Sequence, residues 1–182
     1  EVVDTNAIEI GTSKSSGDFK VTAGGDITDD GIVTVAASDA TLYAITNANN
    51  GDVTLNELAV TGFIDLATHV DGSNNTSHAT IVNATAVQLA ASTVDGDLSA
   101  TATTGNITQT GALTISGTST LVTSADNATI DLMVDSITNA FTGALLITTN
   151  DTGLETDGDV EIDGGTTNLI IGTSTIDGDL NL

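Results

Sequence analysis

Cysteine, proline, tryptophan and arginine are absent from these 182 residues, and aromatic residues make up 2%. No disulfide can staple the fold, so burial and hydrogen bonding must hold it. A compact β-sandwich of this size ordinarily buries several large aromatic side chains. Here there are only Tyr43, Phe19, Phe63 and Phe141. Positive charge is nearly missing as well: Lys14 and Lys20 stand against 25 Asp plus Glu, for a formal net charge of −23. Such a surface repels nucleic-acid phosphates and anionic lipid, which argues against nucleic acid as a partner and against direct membrane insertion. No apolar run approaches a membrane span, and nothing at Glu1 resembles a signal peptide. The chain is expected to be an interior piece or a mature unit, with any export signal or anchor elsewhere.

What is present is aliphatic and small. Hydrophobic residues reach 39% and the mean hydropathy is +0.19, too apolar for a disordered acidic tail. The core must therefore be Val, Ile, Leu and Ala. These occur as apolar-x-apolar triplets such as Ile8-Glu9-Ile10, Val33-Thr34-Val35, Val53-Thr54-Leu55, Val87-Gln88-Leu89 and Val160-Glu161-Ile162. That two-residue period marks short strands with one face buried. Gly-Asp, Gly-Asn and other turn formers separate them. No window supports a long amphipathic helix, because Thr, Val and Ile are too frequent throughout.

A longer period lies above the triplets. Val2-Val3 aligns with Ile81-Val82, an offset of 81 − 2 = 79, as do Ala7-Ile8-Glu9-Ile10 with Ala86-Val87-Gln88-Leu89 and Gly17-Asp18-Phe19 with Gly96-Asp97-Leu98. Gly25-Asp26-Ile27-Thr28 matches Gly105-Asn106-Ile107-Thr108 one residue out of register, and Thr41-Leu42 matches Thr120-Leu121 at 79 again. A third copy begins near Asp159, where the stretch from Ile171 to Leu180 repeats that from Leu89 to Leu98. The repeat divides the chain into residues 1–79, 80–158 and the start of a copy at 159–182, read as one continuous solenoid. Periods of this length mean a solenoid, a propeller or an array of domains. Very short triplets, scarce aromatics and turn-borne indels favour a β-solenoid of about three coils per copy, roughly 26 residues each. Tandem small β-sandwich domains are the alternative.

The stretches Leu89 to Leu98, Gly105 to Ile115 and Phe141 to Leu145 resemble the repeats of filamentous haemagglutinin-like large bacterial adhesins. The resemblance implies a right-handed parallel β-helix in a very long, exported, surface-attached or released protein. The family's secretion domain and anchor are not in this sequence. The function expected from repeat and resemblance together is structural or adhesive: a rigid spacer or filament of a bacterial surface adhesin or biofilm matrix. It would be secreted or on the cell surface, with further copies of itself stacked end to end and host or cell-surface glycans as candidate ligands. The alternative from another class is a carbohydrate-binding or carbohydrate-cleaving β-helix such as a phage tail spike.

Candidate chemistry is sparse. Asp95-Gly96-Asp97, Asp157-Gly158-Asp159 and Asp177-Gly178-Asp179 each place two carboxylates across a glycine, and calcium takes such hard oxygen ligands. The same residues are what a tight turn asks for unaided. No EF-hand loop and no calcium-binding β-roll nonapeptide occurs, and no other cofactor is suggested. Enzyme activity is not expected. A β-helix lyase needs a cation to neutralise its substrate, yet Lys14 and Lys20 become Thr93 and Ser99 in the second copy. His69 and His78 flank an Asn/Ser-rich loop and are read as surface histidines. Thr101, Thr103, Thr108, Thr110, Thr118 and Thr120 hint at an ice-matching Thr array, but they have no counterparts in the first copy. Asn74, Asn75, Asn83, Asn106, Asn127 and Asn150 each begin an Asn-x-Ser/Thr glycosylation triplet, a pattern common by chance in a chain rich in Ser and Thr. Asn and Thr in the turns are expected to bond from coil to coil.

Overall fold

A computed structural model of the chain describes residues 1–68, 76–134, 137–150, 152, 157–165 and 167–182. The first coil carries β1 (Val2–Asp4), β2 (Ile8–Ile10) and β3 (Ser13–Ser15), and the second β4 (Phe19–Ala23), β5 (Ile27–Asp29) and β6 (Val33–Val35). Next come β7 (Thr41–Thr46) with β8 (Val53–Val60), then β9 (Phe63–Ala67) with β10 (Ala79–Asn83). The fifth coil holds β11 (Val87–Leu89), β12 (Ser92–Val94) and β13 (Leu98–Ala102); the sixth holds β14 (Ile107–Gln109), β15 (Leu113–Ile115) and β16 (Ser119–Asp126). The last are β17 (Ile130–Leu132), β18 (Ala140–Phe141), β19 (Ala144–Asn150), β20 (Val160–Ile162), β21 (Ile170–Ile171) and β22 (Leu180–Asn181). No helix occurs among the described residues.

Every strand pairing is parallel, each strand bonding to its counterpart one coil away. The chain is an all-β solenoid of about 8 turns. One sheet runs β1-β4-β7-β9-β11-β14-β17-β20-β22, and the facing sheet runs β2-β5-β8-β10-β13-β16-β19-β21. The triplets form strands because their alternate residues are apolar and many are β-branched, so each pleat buries one side. Inward residues Val21, Ala23, Leu42, Ala44, Ile64 and Leu66 are fully buried, and their equivalents continue the core through successive coils. Phe141 is an aromatic exception in that aliphatic interior, stacked on Ile115 and buried.

Coil length is not uniform, contrary to the even coils expected from the repeat. One turn of the first sheet takes the chain only from Val2 to Val21, whereas a later turn takes it from Ile130 to Val160. Climbing that sheet from Val2, β4, β7 and β9 stand one, two and three turns up. Ile81, the counterpart of Val2 in the next copy, lies in β10 on the facing sheet, half a turn further. A copy thus spans about three and a half turns, not three. Its halves consequently change sides. Copy one puts its single strands β1, β4, β7 and β9 on the first sheet and its short pairs on the second. Copy two puts β10, β13, β16 and β19 on the second sheet and the pairs β11/β12 and β14/β15 on the first. Pairing runs unbroken from β8 to β10 and from β17 to β20, where the copies meet.

Candidate functional site

The acidic turns come together as a structural device. An Asp immediately before a strand turns its carboxylate upward and accepts the backbone N–H of the residue one coil above. Asp26 Oδ1 accepts from Asp52 N–H at 3.0 Å, and Asp52 Oδ1 from His78 N–H at 2.8 Å. His78 Nδ1 then accepts from Asp97 N–H at 2.9 Å, and Asp97 Oδ1 from Thr118 N–H at 2.7 Å. Asp18, Asn106 and Asp159 do the same for Thr41, Thr129 and Asp179. The preceding glycine is forced at several of these corners, because the chain passes directly over the coil below. A Cβ on Gly25 would meet Ala7 N at 2.8 Å, and one on Gly96 would meet Ser77 O at 3.0 Å.

Of the calcium candidates, Asp97 and Asp159 each already use one oxygen on a backbone N–H. Asp159 and Asp179 stack on one corner, while Asp97 lies on another, before β13 of the facing sheet. Asp95 is buried with Oδ2 unpartnered, and Asp157 is exposed. Asp177 donates its N–H to Thr149 Oγ1 at 2.8 Å. Among the described residues no three His, Asp or Glu side chains converge as a metal-binding group.

The other candidates scatter too. Lys20 Nζ lies 3.4 Å from Glu1 in an exposed pair, which contributes little in water. His69 lies outside the described residues, as do Asn74 and Asn75. His78 is a rung of the corner ladder, bonded to Asp97 above and Asp52 below. Histidine spacing could not reveal that role, because both partners lie a whole coil away along the chain. The Thr residues share their outward columns with Val122 and Leu146, so no flat Thr array forms. Asn83 is fully buried and its amide is consumed by Val60 N–H, Val60 O, Thr85 Oγ1 and Ala86 O. No glycan could reach it. A shallow groove of about 290 Å³ beside the β8 bulge is lined by Ile32, Leu58, Val82 and neighbours, with Glu57 its sole ionisable group.

The copy junctions carry a second shared geometry. Where β9 underlies β11 and β12, Leu66 N–H donates to Ser92 Oγ at 3.1 Å and Ala90 N–H to Ile64 O at 2.8 Å. Thr68 N–H donates to Thr93 O at 2.9 Å, and Asp95 N–H to Thr68 Oγ1 at 2.8 Å. The same four bonds recur where β19 underlies β21. Ile147 N–H donates to Ser174 Oγ at 3.1 Å, Gly172 N–H to Leu145 O at 2.7 Å, Thr149 N–H to Thr175 O at 3.0 Å, and Asp177 N–H to Thr149 Oγ1. Both serines face this position because each hydroxyl donates to the carbonyl two residues earlier, Ala90 O or Gly172 O, at 3.2 Å.

A family model described as "Repeats of unknown function (DUF5649)" matches residues 1–67 and 76–148. No curated protein and no solved structure matches the chain.

Proposed function

The chain belongs to that family of repeats of unknown function, and from this we propose that its role is mechanical: a rigid β-solenoid spacer or fibre segment of a secreted or cell-surface bacterial protein. The observation that carries the reading is the recurrence of one four-bond junction at both copy boundaries. A stack whose boundaries are interchangeable lengthens by adding copies, each resting on the last as neighbouring coils already do. The resemblance to filamentous haemagglutinin-like repeats supports the finer reading as part of an adhesin or matrix filament. Host or cell-surface glycans are the ligands to try first.

Electron microscopy of the intact protein tests the mechanical role. Three and a half coils at about 4.8 Å each should lengthen the rod by about 17 Å per copy at constant width. Compact particles, or lengths unrelated to copy number, would overturn it. Protease shaving of intact cells tests the location, and a glycan array tests the adhesive part. A reducing-sugar assay on acidic and neutral polysaccharides is expected to show no turnover.

A further inference from the structure

We infer that the underside of the first coil is the receiving half of the copy junction, and that its partner is one further copy of this repeat seated through Gly11, Ser13 and Ser16. Ser13, Ser92 and Ser174 hold the same place in the three copies. All three hydroxyls donate to the carbonyl two residues earlier, Ser13 to Gly11 O at 2.8 Å. In the second and third copies that orientation leaves Oγ lone pairs facing downward, where Leu66 and Ile147 N–H fill them. Ser13 Oγ accepts nothing among the described residues. Gly11 N–H and Ser16 N–H correspond to Ala90 N–H and Asp95 N–H, which bond to Ile64 O and Thr68 Oγ1 of the copy below. Both Gly11 and Ser16 are exposed.

The apolar residues tell the same story. Val2 is 44% exposed, whereas its counterpart Ile81, seated on β8, is 0% exposed. A strand of any sequence could pair with an open edge. Ser13, however, offers a hydroxyl at the place of Ser92 and Ser174, and among the described residues those serine hydroxyls accept an N–H from the coil below where a β9- or β19-type strand lies underneath. The occupant is therefore the end of a preceding repeat copy. The inference rests on reading the chain as a segment of an array, but it fails or survives separately from the fibre's biological role.

The test adds one copy, residues 1–79, ahead of Glu1 of the full chain and follows amide exchange at the original Gly11 and Ser16. In the 182-residue chain both should exchange as open amides; in the extended chain both should slow by at least about a hundredfold, to the protection expected of the hydrogen-bonded Ala90 and Asp95 amides. Ser13→Ala should lower the melting temperature of the extended chain and leave the 182-residue chain unchanged. The assignment is overturned if both amides stay fast whether or not the added copy folds, or if Ser13→Ala acts equally in both chains. Protection that appears in the unextended chain and grows with concentration would give the face to the top coil of a second chain, and would also overturn it. None of these outcomes bears on whether natural material forms rods, which microscopy decides.

Discussion

A Cβ added to Gly25 would lie 2.8 Å from the backbone nitrogen of Ala7 one coil below, whereas one added to Gly17 meets nothing within 4 Å. Gly25→Ala must push two coils apart and should cost about 1–3 kcal/mol. Gly17→Ala should be near neutral, and chemical denaturation of the pair reads the contrast. The residue after such glycines supplies the acceptor, and one rung departs from the rule. His78→Ala removes the acceptor for Asp97 N–H and should cost about 1 kcal/mol, while His78→Asn should recover most of it. Equal stability of the two variants would remove His78 from the ladder. Asp65 lies within a strand, β9, and not at a corner. It sits half-buried above Tyr43, and loss of hydration raises its carboxyl above the ordinary range. The protonated form is thus the better tolerated one in the fold. Its stability is full below a pH of about 4 and falls as pH rises through the raised value. Asp65→Asn should be the more stable protein at neutral pH, with the difference vanishing in acid, as urea denaturation across that range would show.

Strands need more than their triplets where coils change shape. β8 is a single eight-residue strand beneath a coil that is changing from paired short strands to one long one, and it bulges at Asn56-Glu57. Asp29 accounts for the bulge: its two carboxylate oxygens accept both backbone N–H groups, each at 2.9 Å. Nearby, Asn83 closes the end of β10, and Asn139 performs the same task higher up, bonding Leu113 N–H, Gln109, Leu132 O and Asp163 O. Asn83→Ala would strand buried polar groups of the Val60–Ala86 corner and should cost about 3 kcal/mol. Asn83→Asp should be no better at neutral pH, because it replaces a donor with an oxygen facing the carbonyls of Val60 and Ala86. Thermal melts of the two variants against wild type check this. Coil-to-coil bonding by Asn and Thr was legible as an expectation, but it takes the form of single staples at corners, with Asp the more frequent acceptor along the edges. Which side chain serves depends on the N–H above it, a full coil further along the chain, and no local pattern carries that distance.

Along the whole solenoid, a net charge of −23 is held in a structure whose only described Lys–carboxylate pair is exposed. Self-repulsion should make the melting temperature rise with sodium chloride as the charges are screened. Calcium should do no more than magnesium at the same ionic strength, since the Asp95–Asp97 turn sits on a different corner from the two stacked turns, and Asp97 and Asp159 each spend an oxygen on a backbone N–H. Calorimetric titration showing saturable heat for calcium alone would overturn this expectation and assign a specific site. The alternation of apolar and polar residues was enough to assign strands, inward faces and a repeating all-β stack, because a pleat turns each successive side chain to the opposite face whatever the surroundings. The offset between copies followed from the letters alone. The number of turns in that offset did not, because it depends on how far each coil runs before its N–H groups meet carbonyls on the coil beneath. The run is short from Val2 to Val21 and more than half as long again from Ile130 to Val160, and such differences leave each copy half a turn out of phase with the next. The acidic turns changed meaning for the same reason. In sequence they are pairs of carboxylates across a glycine; stacked, Asp97 and Asp159 are acceptors for the next coil, because only stacking brings an N–H to them.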